Sequence, residues 1–168
     1  MDLEPCLELL LTRRSVRKFK DAPVPDDLVR RILDVARYAP SAKNRQPWRF
    51  LIIKDRSLIK TLSSVHRWAR PLERAPLCLI VVCDRREAPV SYQLDGANVT
   101  MYIMLAAHAL GLGSVWIQTL RDVPKIQKIL HLEEDEIPVS MIALGWPAEN
   151  PSPPPRKELK DLLMELRS

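Results

Sequence analysis

The chain has 168 residues, of which 46% are hydrophobic and 28% are charged, and its formal net charge is +5. This length predicts a single domain over residues 1–168 that can bury a complete core. Basic residues outnumber acidic ones 17 to 9 in residues 1–74, whereas acidic residues lead 12 to 9 in residues 75–168. This asymmetry favours a small anionic ligand bound by the first half. It is weaker evidence for a nucleic-acid-binding protein, which usually presents a continuous basic face with aromatic side chains interleaved.

Cysteine usage and hydropathy indicate a cytoplasmic protein that does not cross a membrane. Cys6, Cys78 and Cys83 form no C-x-x-C pair, and the last two lie in an apolar run that predicts buried thiols in a reducing compartment. The first residues show no signal-peptide pattern. Residues 96–120 lack charged side chains over a length that could span a bilayer, but they include polar side chains. The polar side chains and a break at Gly111 favour a helix that is buried in the core or at a dimer interface.

The first predicted element is a helix over residues 3–11, with Asp2 as its cap and leucines along one face. The basic stretch Arg13–Phe19 follows, and four cations and one hydroxyl fall within its first six residues. Arginine presents a planar fork that binds two oxygen atoms at once, and a serine hydroxyl with loop N–H groups can complete a phosphate site. The alternative interpretations are a solvated basic turn and a loose nucleic-acid contact.

A second helix is predicted over residues 26–39. It is ended by Pro40, because the residue before a proline avoids helical geometry. Residues 40–48 then form a polar loop with a proline near each end. The prolines restrict this loop, so that its polar groups can be held in place for a ligand. A strand over residues 49–54 follows.

The rest of the chain alternates helices and strands. We predict helices over residues 57–69, 92–110 and 122–130, strands over residues 77–83, 114–117 and 139–144, a stiff proline-rich segment over residues 151–155, and a final helix whose apolar face is Leu159, Leu162, Leu163 and Leu166. Gly111 is expected to close the long helix in a left-handed conformation. This order predicts a mixed α/β arrangement in which helices cover a central sheet of about four strands.

The sequence lacks the usual catalytic signatures. It has no G-x-S-x-G, H-E-x-x-H or P-loop motif. The three histidines stand alone, and His108 is predicted to be a satisfied core or seam residue rather than a base. No set of metal ligands is expected either. Anion-binding residues without an obvious acid, base or nucleophile indicate that a bound cofactor carries the chemistry.

Four motifs together resemble the FMN-dependent nitroreductase family in its compact form. They are R-R-S-V-R-K-F at residues 13–19, A-P-S-x-x-N-x-Q-P-W-x-F at residues 39–50, G-L-G-S-V-W-I at residues 111–117, and A-L-G-W-P at residues 143–147 followed by Arg156. They occur in the family's order and cover nearly the whole chain. The resemblance implies an α+β fold with a central mixed sheet of four to five strands flanked by helices. It also implies an intertwined homodimer with FMN at the subunit interface.

The resemblance further implies roles for individual residues. The FMN phosphate and ribityl end would be held by Arg13, Arg14, Ser15, Arg17 and Arg156. The flavin would be lined from the partner subunit by Pro40, Ser41 and Asn44, and Gln46 would either reach the ring or brace the loop. The isoalloxazine, with a backbone N–H near its N5, would lie along Trp116, Ile117 and Gln118. The tryptophan side chains at 48 and 116 are themselves expected to pack in the core.

The implied activity is oxidation of NADH or NADPH and reduction of a nitroaromatic, a quinone or another small acceptor, with ping-pong kinetics. Hydride transfer at flavin N5 needs no catalytic side chain. The alternatives are another flavin reaction of the family, namely reductive dehalogenation or flavin cleavage, a flavin carrier without turnover, and a basic nucleic-acid-binding module. Ala42 in place of a second serine and Gln118 in place of a glycine depart from the family pattern. Both are expected to affect substrate range more than flavin binding.

Overall fold

The computed structural model describes residues 4–164, and its centre is a four-stranded sheet. The strands are β1 (Trp48–Ile53), β2 (Leu77–Asp84), β3 (Gly113–Gln118) and β4 (Glu136–Gly145). Their order across the sheet is β1-β2-β4-β3, and each neighbouring pair is antiparallel. The α+β class is confirmed. The described strands are antiparallel rather than mixed, and the parallel pairing found among residues 4–164 is an isolated bridge between Ser15 and Ser114.

Helices cover both faces of this sheet. The α-helices are α1 (Glu4–Thr12), α2 (Asp26–Ala36), α3 (Arg56–Ser63), α4 (Tyr92–Ala109) and α5 (Val123–Leu130). Short 3-10 helices span Ala42–Asn44, Arg67–Arg74 and Leu159–Asp161.

The path of α4 explains the strand directions. It carries the chain from β2 to β3, which run in the same direction, and leaves one strand position between them. β4 fills that position and runs opposite to both neighbours. A helical crossover that skips one position therefore yields an antiparallel sheet instead of adjacent parallel strands.

β2 is buried along its whole length and separates two apolar cores. Its odd-numbered residues pack with α2 and α4, and its even-numbered residues pack with α3, the Arg67–Arg74 helix and α5. Successive side chains of a strand point to opposite faces, so one continuous apolar run serves both cores. Cys78 and Cys83 are buried as predicted, and burial raises the pKa of each thiol to about 12.

The uncharged stretch of the sequence forms most of α4 and β3. Seven of its helical residues, from Gly96 to Ala107, are buried, so α4 is a core helix. Gly111 ends it with φ at 77°, the left-handed conformation that was predicted. Within residues 4–164, no helix has the length and apolar character needed to cross a membrane.

Several predicted boundaries are wrong. α2 ends at Ala36 rather than at residue 39, so the chain leaves the helix before Pro40 exerts its effect. The helix predicted over residues 57–69 is two elements, because a 3-10 helix containing Pro71 begins after His66.

The predicted C-terminal helix is also wrong where it can be compared. The described part contains only the 3-10 turn Leu159–Asp161, and Leu159, Leu162 and Leu163 are exposed. A short amphipathic segment is not stable as a helix without a surface to pack on. Asp2, Leu3 and Leu166 lie outside the described residues.

Candidate functional site

The basic stretch is joined to two of the other sequence motifs by backbone hydrogen bonds. The Val16 N–H donates to the Ser114 carbonyl at 3.0 Å, beside the Ser15–Ser114 bridge, and so attaches the stretch to the start of β3. The Lys20 N–H donates to the Trp146 carbonyl at 2.8 Å, which attaches it to the segment after β4. Motifs that are far apart in sequence therefore meet at one place.

Arg13 carries a positive charge that the described part of the chain leaves unpaired. Its Nη1 is buried and has no hydrogen-bond partner among residues 4–164. Burial, followed by the charges of Arg14 and Arg156, lowers the pKa of the Arg13 guanidinium. A buried cation without an anion is costly. The cluster therefore fits an anion, and a phosphate monoester, whose oxygens accept from guanidinium groups, is well suited to it.

A cavity of about 220 Å³ lies beside this arginine cluster. Its walls come from the basic stretch, the end of α4, the glycine turn before β3 and the segment after β4, and they include Arg13, Arg14, His108, Ser114 and Glu149. We call it the arginine cavity.

Arg14 and Arg17 are oriented by backbone carbonyls. Arg14 Nη1 donates to the carbonyls of Leu11 at 2.7 Å and Arg13 at 2.8 Å, and Arg17 Nη1 donates to the Ser15 carbonyl at 3.2 Å. A guanidinium has five N–H donors, so each group keeps its charge and further donors for a ligand.

Glu149 holds the backbone of the basic stretch from the other side. Its Oε1 accepts from the N–H of Arg17 at 2.7 Å and from the N–H of Lys18 at 3.1 Å. Sequence analysis did not identify Glu149, because it lies 132 residues from Arg17 and has no local signal.

His108 closes the arginine cavity on the α4 side. Its Nε2 lies 2.9 Å from Thr12 Oγ1, as expected of a partnered residue. Burial, followed by the charges of Arg13 and Arg14, lowers the pKa of His108. The ring is therefore neutral at neutral pH, and the positive charge of the cavity comes from its arginines.

The polar loop after α2 has a strained backbone. Lys43, Asn44 and Gln46 have φ values of 54°, 55° and 49°. Residues other than glycine avoid this left-handed region, and such strain persists only where surrounding contacts determine the conformation.

α4 supplies those contacts. Asp95, which is 3% exposed, accepts from the Ala42 N–H at 2.9 Å and from the Ser91 hydroxyl at 2.8 Å. Asn98 Nδ2 donates to the Pro40 carbonyl at 3.3 Å. Neither Asp95 nor Asn98 was predicted as a site residue. In sequence Asp95 resembles an ordinary acid in the first turn of a helix, and its role depends on packing between α4 and a distant loop.

Gln46 braces the loop from within. Its Nε2 donates to the carbonyl and to Oδ1 of Asn44, both at 3.1 Å, and its backbone N–H donates to Ser41 Oγ at 3.0 Å. Of the two roles expected for Gln46, these contacts favour the brace.

The basic stretch and the polar loop lie at opposite ends of α4 in a single chain. The loop contacts Asp95 and Asn98 in the first half of the helix, whereas Thr12 contacts His108 near its end. The helix between Asp95 and His108 is about 20 Å long at 1.5 Å per residue. The structure therefore brings Arg13, Arg14, Ser15 and Arg17 together but leaves Pro40, Ser41, Asn44 and Gln46 away from them.

A second cavity, of about 550 Å³, lies at the far end of β3. It is lined by Trp116, Ile117 and Gln118 from the strand and by His66, Arg67, Trp68, Arg121 and Asp122 from the neighbouring segments. His66 Nε2 lies 2.9 Å from the Gln118 carbonyl oxygen, so the Arg67–Arg74 helix is attached to the end of the strand. We call this space the β3 cavity.

β3 connects the two cavities along one edge of the sheet. Ser114 lines the arginine cavity and Gln118 lines the β3 cavity. At about 3.3 Å per residue, these residues are about 13 Å apart. On the side away from β4, the ends of β3 are occupied, because Ser114 bridges Ser15 and the Gln118 carbonyl lies against His66. The edge between these two residues can offer backbone groups to a ligand. The arrangement fits an elongated ligand with an anionic end and a planar body.

The tryptophans divide between the core and the cavity. Trp48 is buried in the core on the α4 side of the sheet, as predicted. Trp116 is half-buried, packs against the same core and also lines the β3 cavity. Trp116 can therefore pack against the core and contact a ligand in the β3 cavity at the same time.

These features define an α+β protein with an arginine-lined cavity and a larger cavity at opposite ends of an edge strand. The sequence model of the Nitroreductase family matches residues 10–75 and 63–146. The chain belongs to the nitroreductase family, as its four motifs predicted.

Known proteins support this membership. A Methanothermobacter thermautotrophicus protein, named as a candidate NADH dehydrogenase/NAD(P)H nitroreductase, is 40% identical over 150 residues, which cover 86% of this chain and 78% of the relative. The oxygen-insensitive NADPH nitroreductase of Salmonella typhimurium is 30% identical over 169 residues, covering 92% and 70% of the two chains. A candidate nitroreductase from Desulfovibrio desulfuricans, solved in complex with FMN, superposes with a TM-score of 0.89 and 33% identity over 97% of each chain.

Proposed function

We propose that this protein is an FMN-dependent oxidoreductase that takes a hydride from NADH or NADPH and reduces a nitroaromatic, a quinone or a similar small acceptor. The observation that carries the proposal is the buried, unpaired Nη1 of Arg13 between Arg14 and Arg156. The FMN in the related Desulfovibrio structure and the nitroreductase names of the relatives support it.

The residues present fit FMN along β3. The phosphate would lie in the arginine cavity against Arg13 and Arg14. Three further residues that are not in the described lining, Ser15, Arg17 and Arg156, would complete its contacts. The isoalloxazine would lie at the other end of the strand against Trp116, Ile117 and Gln118. A phosphate monoester carries about −1.5 to −2 at neutral pH, which the arginines can compensate. Bound FMN supplies hydride transfer at its ring, and the protein positions that ring.

We propose that a second copy of the chain covers the exposed apolar surface of α1 and α4. α1 buries none of its 9 residues in the single chain, and a helix of this length is marginal in water without packing. On α4, Leu94, Met101 and Tyr102 are exposed apolar side chains.

A twofold axis across this surface would complete the site. It would place the first half of one α4 beside the last half of the other. The polar loop of one copy, with Pro40, Ser41, Asn44 and Gln46, would then face the arginine cavity of its partner. This homodimer accounts for two half-sites that lie about 20 Å apart within one chain, as the helical rise requires.

Absorption spectroscopy tests the proposed activity. The purified protein should be yellow, and anaerobic NADH or NADPH should bleach the visible flavin band. A quinone or nitroaromatic added afterwards should restore the band. Protein that stays colourless after incubation with FMN, or a flavin that neither donor reduces, contradicts the proposal.

Mixing two defective variants tests the shared site. Arg13→Ala impairs the arginine cavity and Asp95→Ala impairs the loop, and a heterodimer of the two regains one intact site. At an FMN concentration too low to load either variant, we expect activity to return after the two are unfolded and refolded together, but not after each is refolded alone. No recovery in a verified heterodimer contradicts a site built from two copies.

The other flavin reactions, dehalogenation and flavin cleavage, are not favoured, because these relatives carry NAD(P)H nitroreductase names. A nucleic-acid-binding module would instead be colourless and would show strongly salt-dependent binding.

We also propose a single domain over residues 1–168 in the cytoplasm. One sheet joins elements from Trp48 to Gly145, and all three cysteines are free.

A further inference from the structure

One wall of the β3 cavity carries two arginines that the proposed flavin contacts do not use. Arg67 lies on the 3-10 helix, with its guanidinium carbon 4.5 Å from the centroid of the Trp68 ring. Arg121 lies in the turn after β3, and both arginines line the cavity. Within residues 4–164, neither guanidinium has a hydrogen bond or a carboxylate partner.

The charge of this wall is positive. Asp122 is the one carboxylate in the described lining, and its Oδ2 lies 3.9 Å from Nε2 of His66. Two guanidinium groups therefore face the cavity against a single acid that is already near a histidine. Such a wall attracts anions and raises their local concentration.

Trp68 adds a planar apolar surface beside these charges. It is 70% exposed although it is one of the largest apolar side chains of the protein. Large aromatic side chains are usually mostly buried, so an exposed one beside a cavity indicates a surface for a ligand. An indole face stacks well on other aromatic rings. The guanidinium of Arg67 covers one face of that indole, so a ligand ring would stack on the opposite face and extend its substituent past the edge of the indole toward the arginines.

We propose that this wall selects electron acceptors that are planar aromatic molecules with a negatively charged substituent, such as a carboxylate or a sulfonate. Arg67 and Arg121 bind the charged group, and Trp68 stacks on the ring. The proposal rests on the proposed function, because the acceptor must meet a flavin that lies beside Trp116 and Gln118. NADH and NADPH are also anionic, and ping-pong kinetics allow donor and acceptor steps to be measured separately.

The experiment uses the dimeric holoenzyme and a matched pair of acceptors, 4-nitrobenzoate and 4-nitrobenzamide, which are similar in size and differ in charge. Arg67→Gln, Arg121→Gln and the double variant are compared with the wild type by kcat/KM. The ratio of variant to wild type is taken within each acceptor, so that differences in reduction potential cancel. Arg70→Gln is the control, because Arg70 is exposed on the same 3-10 helix and does not line the cavity.

We expect each single variant to lower kcat/KM for 4-nitrobenzoate about three- to fivefold, and the double variant to lower it at least about tenfold, as partly exposed charge pairs do. This decrease in kcat/KM for 4-nitrobenzoate should come from a higher KM rather than from a lower kcat. The values for 4-nitrobenzamide should stay within about twofold of wild type, and Arg70→Gln should change neither acceptor, as for a surface residue without a partner. Flavin content should be unchanged, since neither arginine is among the proposed flavin contacts.

Trp68→Leu provides a second measurement. It should lower kcat/KM for both acceptors by similar factors, and Trp68→Phe should restore most of the loss, because stacking does not depend on the charge of the acceptor.

Equal losses for both acceptors in the arginine variants, or a loss confined to reduction by NADPH, would overturn the inference. Normal flavin content and normal reduction by NADPH in those variants would leave the proposed function intact. A colourless or unreducible wild type would instead refute the proposed function itself.

Discussion

The basic stretch at residues 13–19 and the polar loop at residues 40–46 are prepared for a ligand in opposite ways. The stretch has no residue with positive φ, and what it leaves unsatisfied is charge, at the buried Nη1 of Arg13. The loop has its polar groups bonded internally and to Asp95, and what it stores is backbone strain at three residues. In the proposed dimer, one site would combine an electrostatic half that needs its ligand with a preorganised half that depends on folding.

The largest expected effect comes from removing charge in the first region. The double variant Arg13→Ala/Arg17→Ala should weaken FMN binding by about three orders of magnitude, because charge-assisted hydrogen bonds contribute about 1.5–3 kcal/mol each. The apoprotein should be about as stable as wild type or slightly more stable, since the partly buried guanidinium of Arg13 has an unpartnered Nη1 and Arg17 is exposed. Flavin fluorescence titration and thermal unfolding of the apoprotein measure the two quantities.

The matched control is Arg70→Ala/Arg74→Ala, which makes the same change in net charge on the exposed 3-10 helix away from the arginine cavity. It should bind FMN like wild type. Full FMN occupancy in the Arg13→Ala/Arg17→Ala protein would show that the phosphate assignment is wrong.

Removing Asp95 should lower stability strongly and FMN affinity only moderately, which is the reverse of the expectation for the two arginines. Asp95→Ala leaves the N–H of Ala42 and the hydroxyl of Ser91 without their buried acceptor. We expect the free energy of unfolding to fall by about 2–4 kcal/mol and FMN affinity to fall only about tenfold. Urea unfolding and flavin titration check the two values.

Asp27 is the control for this substitution, because it is an exposed acid in the first turn of α2. Asp27→Ala should change stability by less than about 0.5 kcal/mol. If Asp95→Ala is as stable as wild type, the loop is not held by α4 as described.

Substitutions at two neighbouring glycines test whether the contact between β3 and the basic stretch matters for FMN binding. Gly113 lies against the stretch, whereas Gly111 lies in the turn before β3. A Cβ added at Gly113 would lie 2.8 Å from Cβ of Val16, whereas one at Gly111 meets no atom within 4 Å but has φ at 77°. Gly113→Ala should cost about 1–3 kcal/mol by overpacking and weaken FMN binding, because Val16 belongs to the stretch. Gly111→Ala should cost about 1 kcal/mol through its backbone alone and weaken FMN binding less than Gly113→Ala does, because it leaves Val16 in place. Equal effects on affinity would contradict this distinction.

The smallest expected effect is a pH dependence at His108. Its pKa is lowered in the folded protein from the ordinary 6.5, so the unfolded chain takes up a proton first as the pH falls. Stability should therefore decrease as the pH drops below about 6.5, and it should decrease less in His108→Gln. We expect the Tm of wild type to fall by about 1 °C more than the Tm of His108→Gln between about pH 7 and pH 5.5.

Inorganic phosphate should reduce the additional fall in the Tm of wild type. An anion in the arginine cavity offsets the charges of Arg13 and Arg14 that lower the pKa of His108. Other titrating groups are common to both proteins and do not affect the comparison. A difference in Tm that is independent of pH would show that His108 stays in one protonation state.

Local pattern was sufficient for most elements of the fold, and it also proposed which residues would bind an anion. The continuous apolar run at residues 77–83 predicted a fully buried strand, and β2 is buried on both faces. Gly111 predicted a left-handed helix end, and the basic stretch predicted a group of arginines that needs an anion. These features depend on residue type and spacing over a few positions, so no knowledge of distant contacts is required.

Tertiary structure alone decided which distant groups meet. Glu149 and Asp95 hold the two halves of the candidate site through hydrogen bonds that span 132 and 53 residues in sequence, and no local pattern marks them. The insertion of β4 between β2 and β3 made the sheet antiparallel and left β3 as the edge on which both cavities lie. The C-terminal leucines show the same limit, because a helical pattern of side chains forms a helix only where another surface is available to bury it.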